Sequence, residues 1–141
     1  MELLNLTWHD VDLKRGTITI HETKNGERRT LPLTGIALEL LRQQIRRIDT
    51  SFVFPSPDGK KPLDIRSAWD TALRRAEIPD FRFHDLRHSA ASYLAMNGAS
   101  LMEIAEILGH KTLAMVKRYA HLSESHTRSV VARMNQAVFG E

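Results

Sequence analysis

Three side chains that can bind a phosphate or a metal ion lie close together in the stretch FHDLRHS, residues 83–89. His84 and His88 are four residues apart, and His84 and Arg87 are three apart. On an α-helix these spacings place the side chains on one face, about 40° or 60° apart around the axis. The first pair is typical of metal ligands, whereas the second suits a small anion such as a phosphate.

A metal site is one interpretation of the two histidines. Zinc proteases use this spacing with a glutamate directly after the first histidine, but here that position holds Asp85. A third ligand would have to come from His110 or His121. The chain has no cysteine, so thiolate ligands and disulfides are excluded. Because histidine pairs of this spacing are common by chance, the metal site is kept as the minor alternative.

Binding of a phosphate is the other interpretation, and it depends on His84 and Arg87. The arginine offers a planar fork for two non-bridging oxygens, and the histidine offers one directed donor. Phosphoryl transfer depends mainly on positioning and charge neutralisation, so such a pair suits it. His88 follows Arg87 by about 100° around the helix, which predicts that His88 faces elsewhere, into packing. The pair alone is a weak pattern and needs partners elsewhere in the chain.

The composition is that of one globular domain. With 141 residues, 42% of them hydrophobic and 26% charged, the chain is long enough to bury a single core. The net charge of +3 and the pI near 9.5 are only modestly basic, which is weak support for a nucleic-acid partner. No apolar run approaches the roughly 20 residues of a membrane span, and the N-terminus lacks the basic region of a secretory signal. We therefore expect a cytoplasmic protein that does not contact membranes.

The residue pattern predicts a mainly helical α+β fold with a small antiparallel sheet. Residues 2–6 are helical in character, and alternation around the KNG turn predicts a hairpin over residues 16–33. Residues 34–48 predict an amphipathic helix opened by Thr34, with Ile36, Leu40 and Ile48 among its apolar positions.

Apolar residues at helical spacing predict five further helices, at approximately residues 65–76, 84–96, 101–108, 112–119 and 124–138, and Asp64 is the predicted cap of the first. Asn97-Gly98 and Gly109 are signals for helix C-termini, and SLME at 100–103 is a capping box.

Residues 81–122, FRFHDLRHSAASYLAMNGASLMEIAEILGHKTLAMVKRYAHL, closely resemble the catalytic domain of the tyrosine recombinases, the phage integrase family of site-specific recombinases. The resemblance rests on three blocks in fixed order: His84 with Arg87, LGH at 108–110, and RYAHL at 118–122. Residues 2–34 match the first helix and the three-stranded sheet of the family. The resemblance covers the whole chain, residues 1–141, and implies one helical catalytic domain with a small three-stranded antiparallel sheet near its N-terminus.

The resemblance implies DNA strand cleavage by transesterification, with Tyr119 as the nucleophile that forms a 3′-phosphotyrosine bond and frees a 5′-hydroxyl. Arg87 and His110 would bind the non-bridging oxygens, and His84 would take a hydrogen-bonding and acid/base role. Lys24 matches the mobile lysine that protonates the leaving oxygen. One phosphodiester replaces another, so neither ATP, a metal nor another cofactor is expected. A phenol ordinarily has a pKa near 10, so neighbours must assist the attack.

The chain departs from the family at its first catalytic arginine. The family places that arginine in a pattern like R-x-x-E-L-x-x-L, and Glu2, Leu3 and Leu6 match the end of the pattern. The arginine would therefore stand two residues before Met1. We expect a truncated catalytic domain that also lacks the DNA-clamping N-terminal domain of the family, and that has little or no activity alone. Loss of one oxyanion donor typically lowers the rate by about 10²–10³-fold.

The expected partners are double-stranded DNA and other recombinase protomers, the latter through the C-terminal segment. With these partners, we expect a bacterial or phage-encoded protein that is associated with DNA. Its biological role would be phage integration, mobile-element transfer or dimer resolution. Two alternatives stay open from the residues: a DNA-binding module with a degenerate, non-cleaving site, and the histidine-based metalloenzyme.

Overall fold

The computed structural model describes residues 3–21, 28–109 and 113–140, and its chain divides into two compact units, Met1–Ala76 and Glu77–Glu141. Each unit has a hydrophobic core of its own. The assignment of all 141 residues to one catalytic domain stays a prediction. Among the described residues, no helix has the length and the apolar character needed to cross a membrane.

The first unit contains the predicted three-stranded antiparallel sheet, in the order β1-β2-β3. Its elements are a 3₁₀ helix Trp8–Asp10, strands β1 Val11–Asp12, β2 Thr17–His21 and β3 Arg28–Pro32, and helices α1 Gly35–Gln43 and α2 Arg66–Arg75. In the hairpin, Ile18 pairs with Leu31 and Ile20 pairs with Arg29. The predicted α+β class and the hairpin strands are confirmed, whereas the KNG turn lies outside the described residues.

The helix predicted at residues 2–6 is wrong over its described part, residues 3–6. Residues 3–5 form a turn, and Thr7 is extended (φ −110°, ψ 159°). The reason is tertiary: the amide of Val53 donates to Leu6 O at 2.9 Å, and the amide of Trp8 donates to Ser51 O at 2.9 Å. These two bonds hold the segment in a bridge to another part of the unit, which buries Leu6 and Trp8 in its core.

Helix α1 is shorter than predicted and presents its apolar residues differently. It begins after Thr34, as expected, but ends at Gln43 because Gln44 is extended (φ −63°, ψ 129°) and donates its side-chain amide to Val53 O at 3.0 Å. Leu41 is the buried residue of this helix, whereas the apolar side chains named from the sequence are exposed: Ile36, Leu40 and Ile48. Helix α2 has Ile65 rather than the predicted Asp64 as its N-cap residue, although the Asp64 carboxylate accepts the amide of Arg66 at 3.0 Å.

The second unit is helical. Its elements are α3 Asp85–Met96, α4 Leu101–Leu108, the 3₁₀ helices Leu113–Met115 and Lys117–Ser123, and α5 Glu124–Phe139. The α-helix predicted over residues 112–119 is therefore replaced by 3₁₀ structure in its described part. Tyr119 and Leu122, three residues apart in the second 3₁₀ helix, lie above one another. Both pack in the same core as Val116, the turn residue between the two 3₁₀ helices.

Three helix termini of the second unit are formed as the sequence predicts. Ser100 Oγ accepts the Glu103 amide at 3.1 Å, and the Glu103 carboxylate accepts the Ser100 amide at 2.8 Å, which completes the capping box of α4. Gly98 after α3 has φ +94°, and a Cβ atom there would lie 2.5 Å from the His126 ring. Only glycine meets both constraints. Gly109 ends α4 in the left-handed conformation.

The core of the second unit joins α3, α4 and the 3₁₀ segment that carries Tyr119. Its buried members are Ala91, Ala95, Ile104, Ala105, Val116 and Tyr119. The alanines of α3 are small enough to let neighbouring helices approach, and Ile104 fills the space as the largest fully buried side chain of the chain's described part. The position of the tyrosine therefore depends on this packing.

We predict that Ile104→Ala lowers the free energy of unfolding by about 2–5 kcal/mol, because it removes buried methyl groups and leaves a cavity. Urea unfolding monitored by circular dichroism measures the change. Met102→Ala, in the same helix but 70% exposed, is the matched control and is expected to change stability by less than about 0.5 kcal/mol. Equal effects of the two substitutions would contradict the described core.

Candidate active site

The H-x-x-R block forms the beginning of α3, as predicted. His84 immediately precedes the helix and already has helical backbone angles (φ −63°, ψ −25°), and its carbonyl accepts the amide of Arg87 at 3.0 Å. His84 is exposed and Arg87 is half-buried. Both residues are therefore placed on the first turn of one helix, with the histidine at its solvent side.

Asp85 supplies a negative charge to this turn. Its carboxylate accepts the backbone amide of Arg82 at 2.8 Å, and a second carboxylate oxygen lies 3.5 Å from the Arg82 guanidinium. The bond from the Arg82 amide is the main reason that the pKa of Asp85 lies below its usual value, and the charges of Arg82 and His88 lower it further. Asp85 thus stays ionised through the neutral pH range, within electrostatic reach of His88.

Arg87 connects α3 with the end of α4. Its guanidinium donates a hydrogen bond to the carbonyl of Leu108, the first residue of the LGH block. Gly109 then turns the chain in the left-handed conformation. Two of the three sequence blocks are therefore joined by a direct contact. His110 and Lys24 lie outside the described residues, so their predicted roles stay predictions.

Tyr119 is buried, with 5% of its surface exposed, in the 3₁₀ helix Lys117–Ser123. Its backbone amide donates to Val116 O at 3.0 Å, and its hydroxyl lies 2.6 Å from Nδ1 of His88. The guanidinium carbon of Arg118 lies 6.0 Å from the centre of the tyrosine ring. The predicted nucleophile thus has an imidazole at its reacting oxygen and a cation beside its ring.

The sequence did not reveal the contact that His88 makes at this site. The side chain is half-buried, which fits the expectation that it faces into packing, but it is also bonded to the tyrosine hydroxyl. A signal for this was present in the sequence: Ala91 and Ala95 follow His88 by three and seven residues, so all three share the face of α3 that meets the core. The link from that face to Tyr119 required the tertiary structure.

The two histidines of the H-x-x-x-H spacing are also neighbours. The ring centroids of His84 and His88 lie 5.9 Å apart with the rings nearly perpendicular, in an edge-to-face contact. Among residues 3–21, 28–109 and 113–140, no three histidine, aspartate or glutamate side chains are arranged to hold a metal ion. Within this part of the chain, the spacing serves a ring contact and a hydrogen bond to Tyr119.

Comparison with known proteins decides the family. The sequence model described as the phage integrase family matches residues 1–126, which is most of the chain. The chain belongs to the phage integrase family. It is 36% identical to the integrase of Salmonella phage P22 over 98% of the chain, and 38% identical to the shufflon-specific DNA recombinase of Escherichia coli over 86% of the chain.

The fold agrees with this family assignment. The solved catalytic domain of the bacteriophage HP1 integrase is 31% identical and superposes with a TM-score of 0.69, over 97% of this chain and 74% of that one. The chain spans only part of its curated relatives, 39% of the P22 integrase and 30% of the shufflon recombinase. Neither the family match nor the fold favours a metalloenzyme.

Proposed function

We propose that this chain supplies the catalytic residues of a site-specific recombinase or integrase that cleaves and rejoins DNA strands through a 3′-phosphotyrosine intermediate. The observation that carries the proposal is the placement of Tyr119, whose hydroxyl meets the helix that bears the H-x-x-R block. Membership of the phage integrase family supports the same chemistry, as does similarity to a relative named as a DNA recombinase.

Five residues have a role in the proposed reaction. Tyr119 attacks the scissile phosphate, while Arg87 and His110 neutralise charge on the non-bridging oxygens. His84 donates a hydrogen bond near the nucleophile, and Lys24 protonates the leaving 5′-oxygen. Arg87 is well suited to its role because its guanidinium is anchored on Leu108 O, and a positioned donor acts on developing charge without reorganising. The tyrosyl phosphodiester conserves bond energy, so a DNA hydroxyl reseals the strand without a cofactor.

Duplex DNA is the proposed substrate, and further protomers are the proposed protein partners. Exposed apolar residues on α5 support a contact between protomers through the C-terminal segment: Val130, Val131, Met134, Val138 and Phe139. Such a set on one helix is a common feature of surfaces that dock on another protein.

Tyr119→Phe is predicted to abolish covalent attachment to DNA, because phenylalanine keeps the ring in the core but lacks the attacking oxygen. The measurement uses the product of the complete natural gene and a pool of labelled, nicked duplexes with a randomised central segment. Adducts that survive denaturation in detergent are separated by gel electrophoresis. Tyr93→Phe is the matched control, since Tyr93 is the only other tyrosine and is 66% exposed. An adduct that persists in Tyr119→Phe and vanishes in Tyr93→Phe would overturn the assignment of the nucleophile.

Arg87→Ala is predicted to lower adduct formation by about 10²–10³-fold, the effect of removing one donor from a developing oxyanion. Binding of the same duplex pool, measured by gel shift, is expected to fall much less. Arg87→Lys retains a charge but not the fork, so its rate should lie between those of the alanine variant and the wild type. A loss of DNA binding as large as the loss of cleavage would show that Arg87 acts in DNA binding rather than in catalysis.

A further inference from the structure

We propose that His88 is the group that positions the hydroxyl of Tyr119 and accepts its proton during strand cleavage. This inference rests on the proposed function, and it moves the acid/base role that the family resemblance implies for His84 to a residue outside the three sequence blocks. Nδ1 of His88 lies 2.6 Å from the tyrosine hydroxyl, which is within the reach of a general base. A hydroxyl–imidazole pair of this kind is the usual arrangement for activating a weak oxygen nucleophile.

The imidazole is held in place by the helix that carries it. His88 lies on the face of α3 whose next members, Ala91 and Ala95, are fully buried in the core shared with Tyr119. Its backbone carbonyl also accepts the Ser92 hydroxyl at 3.0 Å. Tyr119 is itself a buried member of that core, so the packing of α3 against the 3₁₀ helix sets the distance between the two groups. A base fixed before the reaction starts loses little entropy in the transition state.

Charged and aromatic groups surround the pair. The Asp85 carboxylate lies one helical turn before His88 and interacts with it electrostatically. The guanidinium carbon of Arg118 lies 6.0 Å from the centre of the Tyr119 ring, and the His84 ring meets the His88 ring edge-to-face at 5.9 Å.

The step balances without any outside reactant. The Tyr119 hydroxyl oxygen forms a bond to phosphorus as its proton moves to His88 Nδ1, and the bond from phosphorus to the 5′-oxygen breaks. The leaving oxygen takes a proton from a separate donor, a role proposed above for Lys24. Resealing runs the same transfers backwards, so His88 returns its proton to Tyr119 when the strand is rejoined.

The alternative role for His88 is purely structural, as the partner that satisfies a buried hydroxyl. Two substitutions separate these roles. His88→Asn places an amide oxygen near the position of Nδ1, so it accepts the hydrogen bond but does not take up a proton in the neutral pH range. His88→Ala removes the hydrogen bond as well. His9→Asn is the matched control, because His9 is exposed and belongs to the other compact unit.

The first measurement tests the contact in the chain itself. With ¹³C-labelled tyrosine, the ring Cζ signals report whether each phenol donates a hydrogen bond, and the chain has only two tyrosines. We expect the Tyr119 signal to shift in His88→Ala, to shift less in His88→Asn, and to stay unchanged in His9→Asn. The Tyr93 signal is the internal reference, since Tyr93 is exposed. An unchanged Tyr119 signal in His88→Ala would show that the bond does not exist in solution and would overturn the proposal.

The second measurement tests the chemistry, as the rate of adduct formation by the complete gene product on the nicked duplex pool. Both His88 variants should cleave about 10²–10⁴-fold more slowly, the range expected for loss of a general base, while binding DNA normally. A His88→Asn variant with the wild-type rate would overturn the proposal.

The same experiments distinguish failure of this inference from failure of the proposed function. If the wild type forms no adduct while the Tyr119 signal still responds to His88→Ala, the hydrogen bond is purely structural. In that case both the proposed function and this inference are overturned. If the wild type forms an adduct through Tyr119 but the His88 variants do so equally well, the proposed function stands and only this inference is overturned.

Discussion

The hydrogen bond between Tyr119 and His88 depends on the packing of three elements. Helices α3 and α4 and the 3₁₀ helix Lys117–Ser123 meet at a small core of alanines, Ile104 and Val116, and the tyrosine ring is part of that core. The ring of Tyr119, the proposed nucleophile, contributes to stability through this packing, while its hydroxyl is bonded to a half-buried imidazole. Substitutions in this core are thus expected to affect both folding and the position of the Tyr119 hydroxyl.

A second contact links Arg87, which is proposed to bind the phosphate, to the same core. Arg87 lies one residue before His88 on α3, and its bond to Leu108 O ties the helix to the end of α4, next to the glycine turn that leads to His110. In our account, α3 therefore organises both sides of the proposed reaction. One residue of the helix faces the phosphate, and its neighbour faces the nucleophile, because consecutive residues point about 100° apart around the axis.

Much of this fold could be predicted from the sequence because its signals are local. The capping box at Ser100, the glycines after α3 and α4 and the alternation in β2 each depend on a few adjacent residues, and the structure confirms them. The errors arose where distant contacts decide the conformation. Backbone bonds to the segment around Val53 hold Leu6 in a turn-and-bridge arrangement, and the 3₁₀ structure around Tyr119 forms within a core shared with α3 and α4. His88 was missed for the same reason, since its partner is distant in sequence.

The most direct test of the account is to identify the residue and the DNA end that are joined in the covalent adduct. Trypsin cuts after Arg118 and Arg128, which isolates Tyr119 in the peptide YAHLSESHTR. After digestion with trypsin and nuclease, mass spectrometry should find this peptide carrying a nucleotide through its 3′-phosphate on the tyrosine. A nucleotide attached at Tyr93, at a serine, or through a 5′-phosphate would contradict the proposed mechanism.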